Sequence, residues 1–164
     1  MPKGPAARIM DPTMHPLPPG LMPGPPSINV IIGKKPAWKG LPAGAGAALQ
    51  AAQAAMDVGI KAAEAASIAA APTPGAPAAK AAELATKTAA VAAFASMVAS
   101  VPGVSIHMCA TFLPPPPHGP GVVIDGSQTV LINNMSACRL GDTVLEALGP
   151  NKIVMGEPTV IIGG

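Results

Sequence analysis

The sequence has no tyrosine and very little other aromatic content: rings make up 2% of its 164 residues, with one tryptophan and two phenylalanines. An ordinary core of large side chains cannot be assembled from that. Charge is also scarce, at 11% Asp, Glu, Lys and Arg with a net +2, so there is no basic patch and no nucleic-acid partner is expected. Cys109 and Cys138 are the only cysteines and allow at most one internal disulfide. Outside the alanine-rich middle the carboxylates Asp11, Asp125, Asp142, Glu146 and Glu157 are scattered through turn-like or strand-end contexts. No Ser/His/Asp order is legible, and Gly119 to Gly126 lacks the lysine of a phosphate-cradling loop. Enzymatic activity is therefore not expected. Pro2, Gly4, Pro5 and Asp11 stand where a secretory signal needs an apolar run, so Sec-type export is not expected either.

What is present is proline and glycine, 22 and 18 residues, together with Val/Ile runs too apolar for a solvated coil. The chain divides into a Pro/Gly-rich start (1–42), an alanine-dominated middle (43–103) and a Pro/Gly/β-branched end (104–164). The two ends share a repeat. Val30-Ile31-Ile32-Gly33-Lys34-Lys35-Pro36-Ala37-Trp38-Lys39 lines up with Val130-Leu131-Ile132-Asn133-Asn134-Met135-Ser136-Ala137-Cys138-Arg139, and Val160-Ile161-Ile162-Gly163-Gly164 begins the unit again. Each unit reads as strand, two-residue turn and strand, which is a hairpin. Pro5-Ala6-Ala7-Arg8 resembles the second half of such a unit, and Arg8 precedes Asp11 as Arg139 precedes Asp142. Short hairpins cannot bury a face alone, so the units are expected to pack together as one β domain with 43–103 projecting from it.

The middle reads as a helical hairpin, Ala47 to Ala70 and Pro77 to Ser100, broken by Pro72-Thr73-Pro74-Gly75. Lys61 and Glu64, Lys80 and Glu83, and Glu83 and Lys87 stand three or four residues apart, which predicts solvent-accessible charged stripes. A soluble hairpin is one reading. The other is membrane insertion, because 88–106 is a charge-free window near spanning length; alanine adds little to insertion, however, and Pro102-Gly103 interrupt the window.

His107 and Cys109 lie close to His118, past a run of prolines from Pro114 to Pro117. The only other histidine is His15. Together these four would make a His3Cys set, which suits structural zinc (Zn2+) and leaves no open position for substrate; alternatively they are loop residues without a metal, since the spacing matches no zinc-finger pattern. Cys138 reads as a small buried residue.

Ala6-Ala7-Arg8-Ile9-Met10-Asp11-Pro12-Thr13-Met14-His15 resembles the AARxxDxxxH motif called prePAAR. From Ile106 onward the chain is similar to the PAAR domain: His118-Gly119-Pro120-Gly121, the Thr129-Val130-Leu131-Ile132 run, and Ser136-Ala137-Cys138-Arg139-Leu140-Gly141-Asp142 where the family has PAARxGD. The segment Gly149 to Gly156 resembles PAAR domains that lead into Rhs toxins. The resemblance implies a mainly β fold, a small tapering β-prism with an inserted α-helical hairpin, that caps a VgrG trimer at the tip of a type VI secretion spike. It implies zinc held by His15, His107, Cys109 and His118, and secretion or delivery from the bacterial cytoplasm through that apparatus. Relatives with prePAAR carry transmembrane-like helices bound by an Eag-type chaperone, which makes 43–103 the segment for a chaperone or a membrane. Many relatives place a cysteine ligand after the Gly-Asp; here Asp142 is followed by Thr143-Val144-Leu145-Glu146.

Overall fold

The structure, a computed structural model, describes residues 3–15, 17, 20–42, 44–111 and 115–163. Pro114, at the head of the proline run, and Gly164, in the last repeat, lie outside the described residues. Ten short strands form small antiparallel sheets, and two helices join them.

The repeat folds as three equivalent hairpins. In the first, β2 (Ile31–Ile32) pairs with β3 (Lys35–Pro36); in the second, β6 (Leu131–Ile132) pairs with β7 (Met135–Ser136), in the same register. Gly33 and Lys34 turn the first at φ of 52° and 68°, and Asn133 and Asn134 turn the second at 52° and 66°. Two positive φ values in a two-residue turn match the right-handed twist of the strands, which is why Gly and Asn recur there. The third hairpin is assembled from the two ends of the chain: β10 (Glu157–Ile162) pairs with β1 (Gly4–Ala6), Ile161 facing Pro5 as Ile31 faces Pro36.

The three units close on one another in a ring. Ala7 N–H donates to the Cys138 carbonyl at 2.8 Å, Cys138 N–H to Trp38 at 3.4 Å, and Trp38 N–H to Ala7 at 2.9 Å. Single bridging pairs flank this triangle: Ala6 with Arg139, Arg8 with Ala37, Lys39 with Ala137. Under the ring lies a layer with the same three-fold content. Ala6, Ala37 and Ala137 meet Ile32, Ile132 and Ile162, edged by Val30, Val130 and Val160. Alanine at the closest approach lets three strands meet with no large core. One level on, Ala7, Trp38 and Cys138 stand at the equivalent positions among Leu21, Val123, Val144 and Ile153. The single indole fills the axis that two small residues leave open. Each Arg-x-x-Asp segment closes a turn, Arg8 N–H donating to Asp11 Oδ2 and Arg139 N–H to Asp142 Oδ2.

The central sheet runs β4 (His107–Cys109), β5 (Gly119–Val123), β8 (Thr143–Glu146) and β9 (Gly149–Lys152), all antiparallel. Onto it packs the helical hairpin, α1 (Ala45–Ala70) and α2 (Ala76–Ala99). Leu49, Phe94 and Val98 join Leu41, Val104, Val122 and Leu145 in one buried cluster, so the base of the hairpin belongs to the core and only its far part projects. The predicted solvent-accessible charged stripes hold at Lys61 and Lys80, which are exposed, and are corrected at Glu83 and Lys87, which are buried, Lys87 Nζ lying 2.7 Å from both Glu64 and Glu83, with Lys80 2.8 Å from Glu83. Thin alanine helices approach closely, so Glu83 and Lys87 on α2 lie between the helices, Lys87 reaching Glu64 on α1, while Lys80 stays exposed. The Lys80 ammonium, then Lys87 and Ser67, hold the Glu83 carboxyl down at about 2. Among the described residues α2 alone is long and apolar enough to cross a membrane, at 24 residues and a mean hydropathy of 1.2; one face of it is spent on the core cluster.

Candidate metal centre

Strand alternation determines which groups point inward. On β4, His107 and Cys109 are buried and Met108 between them is exposed. Cys109 pairs with Gly119 and His107 with Gly121 on β5, which brings His118 to the head of the same sheet. Glu146 ends β8 opposite Gly121 and is fully buried. The two glycines make this geometry possible. Gly119 has φ of +77° and a Cβ there would meet Val91 of α2 at 2.7 Å; a Cβ on Gly121 would meet Cγ of Glu146 at 2.8 Å.

His15 arrives from the other end of the sequence. Its loop is tied to β9 and the residue after it: Met14 N–H donates to the Lys152 carbonyl at 2.8 Å, His15 N–H to Asn151 Oδ1 at 3.0 Å, and Thr13 bridges Ile153.

The result is a compact donor set. His15, Cys109, His118 and Glu146 each offer a ligand atom, all within 4.8 Å of one another. His15 Nδ1 and His118 Nδ1 both lie 3.0 Å from Glu146 Oε2, and Cys109 Sγ is 3.5 Å from His15 Nδ1. Donors in a tetrahedral shell with bonds of about 2.0–2.3 Å stand roughly 3.3–3.8 Å apart, so the cluster needs only small adjustment to close on an ion. The chemistry fits as well: two imidazoles, a thiol and a carboxylate are the groups that bind such metals. Burial pushes the Cys109 thiol above its usual value, and a bound cation reverses that by favouring the thiolate. This cluster could hold a metal ion.

Of the four residues singled out in the sequence, His15, Cys109 and His118 meet here. His107 lies to one side, Nε2 3.8 Å from Glu146 Oε1, with neither ring nitrogen in hydrogen-bond geometry. Desolvation lowers its pKa and keeps it neutral, outweighing the nearby Glu146 charge and Met22 carbonyl. Glu146 completes the cluster; in the sequence it reads as a strand end, and its one signal is its place after the Gly-Asp, where the resemblance points to a cysteine. Cys138 is buried away from the cluster, in the layer with Trp38.

Residues 114–164 match the family model described as the PAAR motif. The match covers His118, Glu146 and every strand from β5 onward, and stops short of His15, His107 and Cys109. No curated protein and no solved structure matches the chain. The family match falls on the hairpins and the central sheet, so residues 114–164 of this chain carry a PAAR motif.

Proposed function

We propose that this protein is the zinc-stapled tip of a type VI secretion spike, one copy capping a VgrG-like trimer. The observation that carries the reading is the three-fold content of a single chain. Ile31, Leu131 and Ile161 occupy the same position in the three hairpins and are 57%, 49% and 56% exposed. Large apolar side chains left in water at three equivalent points suit a partner with three equivalent surfaces. The short hairpin edges beside them can add to strands of that partner.

Zinc held by His15, Cys109 and His118, with a fourth donor from the same cluster, would tie the N-terminal loop to the central sheet. That cross-link offsets a core with little bulk. A four-donor shell leaves no open position for substrate, which supports a structural and not a catalytic role. In this reading the protein assembles in the bacterial cytoplasm and leaves through the apparatus, carrying effector cargo. The helical hairpin is the surface for an Eag-type chaperone or a membrane, a second role supported by the length and hydropathy of α2.

Replacing Ile31, Leu131 and Ile161 together by Asp tests the cap. The expected result is loss of co-purification with the cognate trimer while the metal stays bound. Undiminished co-purification contradicts it.

A further inference from the structure

Within the metal-staple reading, on which this rests, we propose that Glu146 supplies the fourth donor, that Asn151 positions it, and that His107 stands outside the ligand set. The two carboxylate oxygens have different surroundings. Oε2 faces His15 Nδ1 and His118 Nδ1, both at 3.0 Å. Oε1 accepts from Asn151 Nδ2 at 2.8 Å and has His107 Nε2 beyond it at 3.8 Å. One oxygen is turned into the cluster and the other is held from behind.

Charge argues the same way. Glu146 is fully buried, and its ion-pair partners among the described residues are all histidines. A buried carboxylate is costly without a counter-charge. A divalent ion between the Glu146 carboxylate and the Cys109 thiolate, completed by two neutral imidazoles, has no net charge. Taking His107 instead of Glu146 into the shell leaves the ion and its ligands positive and the buried carboxylate beside them without a bond to the ion.

Asn151 is what makes the carboxylate rigid. It is fully buried on β9, paired with Val144 of β8. Its Nδ2 donates to Glu146, and its Oδ1 accepts both the His15 N–H at 3.0 Å and the Lys152 N–H at 2.8 Å. One amide therefore orients two of the four donors, one from each end of the chain. Outer partners of this kind typically change metal affinity by about 10–100-fold.

The test is a gain of signal in cobalt-loaded protein. Thiolate bound to Co2+ gives a charge-transfer band in the near ultraviolet, and Cys109 supplies one. Glu146→Cys is expected to add a second thiolate's intensity, and His107→Cys to add none. An unchanged band in Glu146→Cys, or a gain in His107→Cys, overturns the assignment while leaving the metal staple standing. A wild-type chain that takes up no metal overturns both. Should Glu146→Cys not fold, His107→Cys decides alone, a gain counting against and no gain for. Asn151→Asp keeps the acceptor to His15 but removes the donor to Glu146; zinc affinity in chelator competition is expected to fall by about 10–100-fold, and unchanged affinity refutes the positioning role.

Discussion

Cys109 Sγ lies 3.5 Å from His15 Nδ1, although the two residues are 94 positions apart and the whole helical hairpin separates them. Nothing covalent joins these two segments locally. Backbone hydrogen bonds from Met108 N–H to Met22 and from Ala110 N–H to Leu17 join the flanking chain, Met14 and His15 are tied to β9, and the donor cluster adds the side-chain link.

Stripping the metal is therefore expected to loosen the His15 loop first. Chelator-treated protein should melt lower than the loaded form, by about 2–4 °C for each kcal/mol lost, and proteolysis should begin in residues 11–21. Equal melting temperatures with and without chelator would remove the staple.

The helical hairpin should divide into a dispensable tip and a required base. Phe94→Ala is expected to cost about 3–5 kcal/mol in denaturant unfolding, because Phe94 is fully buried against the cluster with Val122 and Leu145. Replacing 53–90 by a short flexible linker retains Leu49, Phe94 and Val98 and should leave a folded β domain. Removing 47–100 uncovers that cluster and should be markedly less stable. Equal stability of the two deletions would show that the base contributes nothing.

Acid should weaken the helix pair through Glu83. Its pKa is lowered in the fold, from 4.5 to about 2, by Lys80 first and then Lys87 and Ser67. A lowered carboxylate pKa contributes stability above the unfolded value that is lost as pH falls through the folded one. Thermal stability followed by helical circular dichroism should drop between about pH 4.5 and 2, and the drop should be smaller in Glu83→Gln. Identical pH profiles for the two proteins would contradict the pairing.

Gly121→Ala should perturb the metal centre without replacing a donor. The added Cβ would stand 2.8 Å from Cγ of Glu146, and such overpacking costs about 1–3 kcal/mol. Weaker zinc binding is the expected result, and affinity equal to wild type would mean that Glu146 can move aside.

The prism was legible because its units repeat residue for residue: Val30, Val130 and Val160 lead into Ile32, Ile132 and Ile162, and even the split third hairpin showed in Pro5-Ala6-Ala7-Arg8. His15, Cys109 and His118 stood out because histidine and cysteine are rare here. Glu146 did not. A carboxylate at the end of Thr143-Val144-Leu145-Glu146 looks like any strand end until the fold buries it between two histidines from opposite parts of the chain. The buried Lys87 failed for a related reason: spacing along α2 reveals its pairing with Glu83, but only the packing of α1 supplies Glu64 and excludes water.

Native mass spectrometry of the protein mixed with its cognate spike trimer tests the central claim most directly, because one mass reports both stoichiometry and metal. The account predicts a single species containing the trimer, one copy of this chain and one zinc ion. A trimer with three copies, a complex of metal-free chain, or no complex at all would contradict it.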